Sequence, residues 1–530
     1  MTVPNAAPDT SADRRPEDVS RRATLQACLP HAPLGSLFQA MNPTEEPNDW
    51  ILSDRPDNPE EACGVFGVYA PGEQVGRLTY FGLHALQHRG QESAGIAVGD
   101  GHTLTVVKDL GLVPQVFKDS DLDTLDGHLS VGHTRYSTTG SSTNWENAQP
   151  MLSSIGPNTI ALAHNGNLVN TVELRDKLKG HGIKFRSTTD SEVMATLVDH
   201  FTQEHDSLRG GIRETMGLIK GAYSVVMITE EALYAFRDPS GVRPLVLGKL
   251  DDRGWVVSSE TCGLDIIGAE FVRELGAGEL IKISEAGIES EQAVPAERPS
   301  LCMFEFVYFA RPDSVMYDCS LYAARQAMGA AIARSAPVEA DLVIGVPDSG
   351  TPSAVGFAQA SGTPFGEGLI KNRYVGRTFI SPSEHLRQQG IRLKLNPLKH
   401  ILAGKRVVVV DDSIVRGNTS RKLVALLREA GATEVHMRIT SPPVQWPCFY
   451  GIDTDTQEQL IASSKSVDEV RDFIGSDSLA YLSVEDMVAA TGRHADEYCL
   501  ACFTGEYPIE IPDAVKKGKM AFEISGTPAR

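Results

Sequence analysis

The segment RVVVVDDSIVRGNTS (residues 406–420) decides the fold of the C-terminal half of this chain. Its run of four valines, residues 407–410, is typical of a strand that is buried on both faces of a parallel sheet. Two carboxylates, Asp411 and Asp412, follow that strand, and open α/β sheets bind their ligands at this edge. The turn at residues 417–420 then leads into a helix whose first backbone N–H groups suit a phosphate. A charged turn explains one acid here, but not paired acids, a glycine-rich turn and two hydroxyls together.

Strands and helices alternate on both sides of this segment. DLVIGVPDSG (residues 341–350) has the pattern of another buried strand, and the stretches at 351–361 and 421–432 have helical patterns. This alternation predicts a parallel sheet covered by helices on both faces. From residue 63 to about 300, short apolar runs are broken by Gly, Asn and Ser-Thr clusters, which predicts antiparallel strands with a few helices, one at roughly 190–204.

Length, composition and charge restrict the classes of partner. The chain has 530 residues, of which 41% are hydrophobic, and its formal net charge is -20. Two or more hydrophobic cores are therefore expected, and the acidic surface opposes binding to nucleic acid or to anionic lipid. No run approaches the ~18 consecutive apolar residues of a membrane span. Because a secretory signal pattern is also missing at the N-terminus, the sequence predicts a cytoplasmic protein.

The N-terminal half has its own distinctive cysteine. EEACGVFGVYA (residues 60–70) puts Cys63 at the start of an apolar strand, where an isolated cysteine is usually a small buried hydrophobe. Four other segments carry chemically suggestive residues: HRGQES (88–93), GHTRYST (132–138), HNGN (164–167) and TTDSE (188–192). Together with Cys63 they favour a catalytic interpretation of this cysteine.

These residue types fit the hydrolysis of glutamine. The thiolate of Cys63 can attack the amide carbonyl, and Asn165 with the backbone N–H of Gly166 suits the oxyanion that results. Arg135 offers a planar, two-pronged donor for the α-carboxylate. Asp190 offers a carboxylate for the α-ammonium group.

This set of segments resembles the glutaminase domain of the N-terminal-nucleophile amidotransferases. The resemblance implies an α+β fold of stacked antiparallel sheets between helices, in which Cys63 becomes the first residue and its free α-amino group is the general base. The unperturbed pKa of such an amine, about 7.7–8.0, lies near working pH. Residues 1–62 then form a largely disordered leader, a propeptide whose removal activates a zymogen, whereas alone they look like an idle tail; Met41 is an alternative start. Nearby histidines, His133 and His164 among them, receive structural and orienting roles.

The segment from residue 406 resembles the binding motif of the type I phosphoribosyltransferases, an α/β fold with a parallel sheet. The resemblance implies that Asp411 and Asp412 reach the ribose hydroxyls and Mg²⁺, and that VIGVPDSGTPSA (residues 343–354) is the pyrophosphate loop. Mg²⁺ prefers such hard oxygen ligands. The residues assigned to phosphoribosyl pyrophosphate are Asp348, Ser349, Gly350, Lys371, Tyr374, Arg377, Asp411, Asp412, Ser413, Arg416, Gly417, Thr419 and Ser420, with Ser349, Asp411 and Asp412 as Mg²⁺ ligands.

A basic stretch, KNRYVGRTFISPSEHLRQQG (residues 371–390), lies between these two motifs. Basic residues interleaved with aromatic ones could bind single-stranded nucleic acid, but the acidity of the whole chain opposes this. We interpret the stretch as a mobile flap that closes over a polyanionic substrate. Closure would exclude water, so that ammonia rather than hydroxide meets the ribose C1.

The remaining cysteines suggest a metal site without defining one. A single CxxC pair, residues 499–502, is a weak signal, and four thiolates can hold zinc or an iron–sulfur cluster. The family resemblance implies one [4Fe–4S] cluster, held by Cys262, Cys448, Cys499 and Cys502, that ties the C-terminal segment to the first domain. Cys302 and Cys319 are interpreted as ordinary buried residues.

Both halves together resemble the glutamine phosphoribosylpyrophosphate amidotransferases, over residues 63–505. The resemblance implies that glutamine, phosphoribosyl pyrophosphate and water give 5-phosphoribosylamine, glutamate and pyrophosphate, the first step of de novo purine nucleotide synthesis. It also implies a homotetramer that purine nucleotides inhibit. The predicted divisions are a leader (1–62), a glutaminase domain (63–300), a phosphoribosyltransferase domain (301–505) and a tail (506–530). A regulatory protein that senses phosphoribosyl pyrophosphate without catalysis, and a different glutamine amidotransferase, stay open as alternatives.

Overall fold

The computed structural model of the chain describes residues 63–136, 144–154, 159–372, 394–452, 456–512 and 515. All of them belong to one compact unit. Within these ranges no helix is both long and apolar enough to cross a membrane. The leader, Tyr374, Arg377 and most of the basic stretch lie outside the described residues.

The first half of the described chain is built on two antiparallel sheets. Their strands are β1 Gly64–Tyr69, β2 Ser93–Gly99, β3 Leu104–Leu110, β4 Leu129–Arg135, β5 Met151–Ser153, β6 Ile160–Leu168, β7 Gly221–Ile228, β8 Leu233–Arg237, β9 Val246–Leu250, β10 Gly254–Ser258, β11 Glu270–Glu274, β12 Glu279–Ser284 and β13 Gly287–Gln292. The strand orders are β11-β9-β10-β1-β4-β2-β3 and β13-β12-β8-β7-β6-β5. The sheets stack, because Val65 and Tyr69 of β1 share one core with residues of β6, β7 and β8.

Helices cover the outer faces of both sheets. They are α1 Val75–Ala85, α2 Val113–Val116, α3 Asp119–Leu122, α4 Thr171–Gly180, α5 Asp190–His205, α6 Leu208–Leu218 and α7 Thr261–Asp265, with 3₁₀ turns at Gln87–Arg89 and Trp145–Asn147. Phe66 and Val68, which alternate with Val65 along β1, pack against α1, as the two-residue period of a strand requires. Thr189 caps α5 by accepting a hydrogen bond from the backbone N–H of Glu192. The predicted fold of stacked antiparallel sheets between helices is confirmed.

The second half contains the predicted parallel sheet, in the order β17-β20-β21-β22. The strands of this half are β14 Leu301–Cys302, β15 Val315–Met316, β16 Cys319–Ser320, β17 Leu342–Gly345, β18 Leu369–Lys371, β19 Leu395–Pro397, β20 Arg406–Asp411, β21 Glu434–Ile439, β22 Ser478–Tyr481 and β23 Tyr498–Cys499. The valines of β20 divide between the two faces: Val408 and Val410 join one core, Val407 and Val409 the other. Burial on both faces explains the unbroken apolar run.

Helices flank this sheet on both faces. They are α8 Leu321–Ser335, α9 Thr351–Ser361, α10 Lys399–Leu402, α11 Asn418–Glu429, α12 Ile461–Ser464, α13 Val467–Ile474, α14 Val484–Ala489 and α15 Ala501–Thr504, with a π-helix at Glu305–Phe309 and 3₁₀ turns at Gln457–Gln459 and Ala495–Glu497. Side chains of α8 and α9 join the core that contains Val408, and those of α11 and α13 join the core that contains Val407. The α/β phosphoribosyltransferase fold is confirmed.

Part of the segment assigned to the C-terminal tail belongs to the folded unit. Ile511 is buried, and Tyr507 and Ile509 pack against the core that also contains Phe503. Their alternation with polar residues or proline lets one side of this extended segment face the protein.

Candidate functional site

A cavity lies where β1 begins, beside the end of β4. Gly64 pairs with Thr134 in antiparallel strands. Cys63 precedes Gly64 and Arg135 follows Thr134, so Cys63 and Arg135 lie close together. The cavity measures about 230 Å³, counting the part open to solvent. Its lining residues are Cys63, Arg135, Tyr136, Gln149, His164, Gly166, Thr189, Asp190 and Ser191. The predicted residues Cys63, Arg135, Gly166 and Asp190 lie together in it. Tyr136 belongs to the quoted segment 132–138 but has no predicted role, and no motif in the sequence points to Gln149.

Cys63 is buried in a setting that keeps its thiol protonated. Its Sγ lies 3.2 Å from the carbonyl oxygen of Tyr136 and accepts a hydrogen bond from the Tyr136 backbone N–H over 3.5 Å. Burial raises the pKa of Cys63 to about 12, although the nearby guanidinium of Arg135 acts in the opposite direction. A base is therefore needed to produce the nucleophilic thiolate.

The cavity carries opposite charges that match the two ends of an amino acid. Arg135 is buried, with one guanidinium nitrogen 3.8 Å from Glu92 Oε2. Asp190 begins α5; its Oδ2 accepts a hydrogen bond from the backbone N–H of Leu168 over 3.0 Å, and Ser191 Oγ lies 3.3 Å from its Oδ1. The position at a helix N-terminus stabilises the carboxylate further.

Asn165 and Gly166 are neighbours near the end of β6, opposite Ser224 and Tyr223 of β7, and Gly166 lines this cavity. Asn165 is fully buried, and among the residues that the structure describes neither its Oδ1 nor its Nδ2 has a hydrogen-bond partner. Leaving a buried amide unsatisfied costs about 1–3 kcal/mol. Gly166 has φ +145°, and a Cβ there would lie 2.0 Å from the carbonyl oxygen of Ala222, so only glycine fits. The pair has the arrangement of a hydrogen-bond donor kept ready for a ligand.

Two histidines near Asn165, His133 and His164, are held by other groups. His133 Nε2 lies 3.1 Å from the carbonyl oxygen of His164, and His164 Nδ1 lies 3.3 Å from Ser191 Oγ. Burial lowers the pKa of His133 to about 3 and also lowers the pKa of His164, so both rings are neutral at physiological pH. These contacts are those of orienting groups.

A second cluster of polar groups lies at the C-terminal edge of the parallel sheet. β17 and β20 run side by side, so the loops that follow them meet there. Asp412 is buried; Ser413 Oγ donates to its Oδ2 over 2.7 Å, and the hydroxyl of Ser349 also hydrogen-bonds to it. Burial raises the pKa of Asp412, and these hydrogen bonds oppose the rise. The two predicted loops are thus joined through Ser349 and Asp412.

The remaining predicted residues surround this cluster. Lys371 Nζ donates to Asp348 Oδ2 over 2.7 Å, and both side chains are largely exposed. Gly417 has φ +81° immediately before α11, whose first turn contains Thr419 and the buried Ser420. Arg416 Nε donates to Gln459 Oε1 over 3.3 Å. Tyr374 and Arg377 lie outside the described residues.

The cysteines group differently from the predicted set. Parallel pairing of β14 with β23 puts Cys302 opposite Cys499. Burial raises the pKa of Cys502, and Cys302, Cys499 and Cys448 lie near enough that a thiolate on any of them would raise that pKa further. Cys262 instead packs in the core of α1, with its Sγ 3.9 Å from the carbonyl oxygen of Ala85. The structure therefore places Cys262 in a different core from Cys448, Cys499 and Cys502, and it places Cys302 next to Cys499.

The described ranges contain no group of three or more His, Cys, Asp or Glu side chains arranged to hold a metal ion. The position of Cys302 beside Cys499 results from a long-range strand pairing that leaves no local motif in the sequence. Cys262 and Cys302 are both isolated in the sequence, so only the folded structure distinguishes their surroundings.

Comparison with known proteins agrees with both halves. A family model of the glutamine amidotransferase domain matches residues 133–265, and one of the phosphoribosyl transferase domain matches residues 321–440. The amidophosphoribosyltransferase of Synechococcus elongatus is 58% identical over 473 residues, 89% of this chain and 96% of that protein. The solved glutamine phosphoribosylpyrophosphate amidotransferase from B. subtilis, complexed with ADP and GMP, has a TM-score of 0.80 and 48% identity, covering 85% of this chain and 98% of that one.

The two domains define the class of protein: a glutamine amidotransferase joined to a phosphoribosyltransferase. Because relatives far above 30% identity are matched over nearly their whole length, the chain belongs to the amidophosphoribosyltransferase family. The predicted enzyme class and its reaction, which forms 5-phosphoribosylamine from glutamine and phosphoribosyl pyrophosphate, are confirmed at the level of the family.

Proposed function

We propose that Cys63, released as the N-terminal residue by removal of residues 1–62, hydrolyses glutamine, and that the ammonia is used at the edge of β20. The observation that carries this proposal is the buried thiol of Cys63. Its pKa of about 12 demands a base, while His133 and His164 hydrogen-bond to other groups. A free α-amino group on the same residue supplies that base.

In the first site, the α-amine takes the proton from Sγ, and the thiolate attacks the side-chain carbonyl carbon of glutamine. Asn165 Nδ2 and the Gly166 N–H stabilise the oxyanion. The α-ammonium returns the proton to the leaving nitrogen as the C–N bond breaks, which releases ammonia and leaves a thioester on Cys63. Water then adds to the thioester carbonyl, the C–S bond breaks, and glutamate leaves with the thiol restored. Arg135 and Asp190 bind the α-carboxylate and α-ammonium of the substrate.

In the second site, ammonia attacks C1 of the ribose as the bond to pyrophosphate breaks. The N–H groups at the start of α11 hold the 5′-phosphate, and Asp411 and Asp412 bind the ribose hydroxyls. The carboxylates and the Ser349 hydroxyl are hard oxygen donors that fit Mg²⁺, which when bound neutralises charge on the diphosphate. Lys371 adds a cation beside Asp348. Tyr374 and Arg377, which lie outside the described residues, are predicted to bind the same substrate.

We also propose one [4Fe–4S] cluster, held by Cys302, Cys448, Cys499 and Cys502. Burial raises the pKa of Cys302, Cys499 and Cys502, and backbone N–H groups oppose this rise. The Tyr450 N–H donates to Cys448 Sγ over 3.3 Å. Such hydrogen bonds to sulfur also tune iron–sulfur clusters, which supports the assignment. The buried guanidinium of Arg243 lies close enough to act on three of them. When bound, the cluster would cross-link three distant segments of the chain.

Further features of the proposal concern the whole enzyme. The family resemblance implies a homotetramer and inhibition by purine nucleotides, and the sequence predicts a cytoplasmic location. The nucleotide complex of the B. subtilis relative supports a regulatory role for purine nucleotides.

N-terminal sequencing of the purified enzyme, combined with Cys63→Ser, tests the two-site scheme. The mature chain should begin at Cys63. The variant should lose all activity with glutamine and keep its activity with free ammonia, because the second site does not use the thiol. Loss of both activities, or normal glutamine use by a chain that still carries residues 1–62, contradicts the scheme.

The cluster is tested by metal analysis of anaerobically purified protein. About four irons per chain and a brown colour are expected. Cys302→Ser should lower the iron content, whereas Cys262→Ser should not. Stoichiometric zinc without iron would overturn the assignment.

A further inference from the structure

Residues 447–451, called here the bridge segment, lie in the connection between β21 and β22 of the parallel sheet yet contact residues next to the glutamine site. Asn167 Nδ2 donates to the carbonyl oxygen of Phe449 over 3.0 Å. Arg243 donates from both Nε and Nη2 to the carbonyl oxygen of Tyr450, each over 3.0 Å. A Cβ on Gly451 would lie 3.1 Å from the carbonyl carbon of Gly166. Phe449 and Gly451 therefore touch the end of β6 that holds the proposed oxyanion donors, and Arg243 holds Tyr450 between them.

The opposite side of the bridge segment is held by the C-terminal segment. Tyr450 Oη donates to the carbonyl oxygen of Ile509 over 2.6 Å and accepts from the Ile509 backbone N–H over 3.0 Å. Tyr507 Oη donates to the carbonyl oxygen of Pro447 over 2.6 Å. The bridge segment is thus held on one side by the side chains of Asn167 and Arg243, and on the other by residues 507–509.

Arg243 anchors these contacts. It is fully buried, and its Nη1 donates to Glu305 Oε1 over 3.1 Å. The same guanidinium is close enough to Cys63 to favour its thiolate. Arg243 therefore connects the bridge segment, the second half of the chain and the nucleophile.

The bridge segment adds support to the end of β6 beyond its pairing with β7. Gly166 adopts φ +145° and has no side chain to hold it in place, and glycine has the most conformational freedom. The side-chain amide of Asn165 makes no hydrogen bond within the described part of the chain. A donor displaced by about 1 Å can cost roughly 100-fold in rate.

We propose that the bridge segment positions Asn165 and Gly166, so that its order sets the rate of glutamine hydrolysis although it does not contact glutamine. The proposal rests on the oxyanion role given to these two residues above. It makes residues 447–451 and 507–509 the route by which the state of the second half of the chain reaches the glutaminase. Residues of the bridge segment are positioning residues, not catalytic ones.

Two variants test the proposal from opposite sides. Asn167→Ala removes the hydrogen bond to Phe449, and Tyr450→Phe removes both hydrogen bonds to Ile509. Each should lower kcat for glutamine hydrolysis by about 10-fold, with KM for glutamine changed less than about twofold, because oxyanion stabilisation acts in the transition state. Activity with free ammonia should be unchanged.

Asn170→Ala is the matched control. Asn170 Nδ2 donates to a backbone carbonyl over the same 3.0 Å, but the acceptor is Leu218 of the first half. This variant should leave kcat for glutamine hydrolysis within about twofold. An equal fall in the control, a parallel fall in the ammonia activity, or unchanged kcat in both bridge variants overturns the proposal.

A second measurement separates positioning from damage to the thiol. A diazoketone analogue of glutamine places its carbonyl oxygen at the oxyanion site, so its labelling of Cys63 should slow in both bridge variants. Iodoacetamide needs no oxyanion donor and should label Cys63 at the rate of the unaltered enzyme; slowing of both reagents contradicts the proposal. Cys63→Ser is measured alongside, and if it still hydrolyses glutamine, the proposed function is wrong. If Cys63→Ser is inactive with glutamine but the bridge variants behave like the unaltered enzyme, only the bridge-segment proposal is wrong.

Discussion

At the residue scale, replacing Asn165 should have opposite effects on stability and on activity. Its amide is buried and lacks a hydrogen-bond partner in the described ranges. Asn165→Ala removes that unsatisfied amide, so the melting temperature should stay level or rise. Glutamine-dependent activity should fall by about 10²–10³-fold, because one oxyanion donor is lost. Calorimetry and glutamate release measure the two effects.

Asn147 provides the control for stability, since it is also fully buried but has partners. Its Oδ1 accepts from the Thr188 backbone N–H over 3.0 Å, and its Nδ2 donates to Thr188 Oγ1 over 3.2 Å. Asn147→Ala should destabilise the protein by about 1–2 kcal/mol. A lower melting temperature for Asn165→Ala than for Asn147→Ala would refute the unsatisfied-amide account.

His133 should make the protein sensitive to mild acid. Burial holds its folded-state pKa at about 3, against about 6.5 in the unfolded chain. Between these values the unfolded state binds the extra proton, so the stability is complete above pH 6.5 and is lost as the pH falls toward 3. His133→Gln should flatten the decline of the melting temperature between pH 6.5 and 5. A decline as steep as that of the unaltered protein would show that other groups cause it.

The residues of the glutamine site could be predicted from the sequence where the chemistry of the side chain alone indicates its role. Cys63, Arg135 and Asp190 were expected together, and they line one cavity. Cys302 could not be found in this way. Its place among the thiols depends on the pairing of β14 with β23, and nothing near Cys302 in sequence distinguishes it from Cys262.

At the scale of elements, α8 and α9 pack at backbone contact through two glycines. A Cβ on Gly329 would lie 1.8 Å from the carbonyl oxygen of Ser353, and one on Gly356 would lie 1.9 Å from that of Gln326. Gly329→Ala should destabilise the protein by about 1–3 kcal/mol, because α9 must move away. Since Gly350 of the pyrophosphate loop immediately precedes α9, KM for phosphoribosyl pyrophosphate should rise, while glutamine hydrolysis at the other site persists.

Gly217→Ala in α6 is the matched control for this substitution. A Cβ there meets no atom within 4 Å, so the change should stabilise the protein by about 0.5–1 kcal/mol. Thermal unfolding and substrate titration check both variants. A Gly329→Ala enzyme with unaltered stability and KM would show that the helices can separate freely.

The types of these elements were predictable, but their arrangement was not. The four valines of β20 predicted burial on both faces, and the two faces are found in separate cores. The position of β1 between β10 and β4 is set by pairings across distant segments, which local patterns do not encode. Tyr507, Ile509 and Ile511 alternate as a strand would, yet their charged surroundings suggested a tail.

At the scale of the whole molecule, a buried ion network joins the two halves. Glu305 of the second half accepts hydrogen bonds from Arg89 Nη2 over 2.6 Å and from Arg243 Nη1 over 3.1 Å, both in the first half. Arg89 also pairs with Glu260, and all four side chains are fully buried. Such a network is stable only while every charge is matched, because desolvation of an unmatched charge is costly.

Glu305→Gln should therefore loosen the junction between the halves. Two buried guanidiniums lose their shared carboxylate, which should cost about 3–5 kcal/mol. Glutamine hydrolysis should continue at a lower rate, because Arg243 also holds the bridge segment. Less than one 5-phosphoribosylamine should form for each glutamate released, since ammonia escapes where the halves no longer fit. The control is Glu339→Gln, which breaks an exposed pair with Arg406 and should leave both stability and that ratio unchanged. If Glu305→Gln keeps a ratio of one despite its lower stability, the network holds the protein together without sealing the path of ammonia.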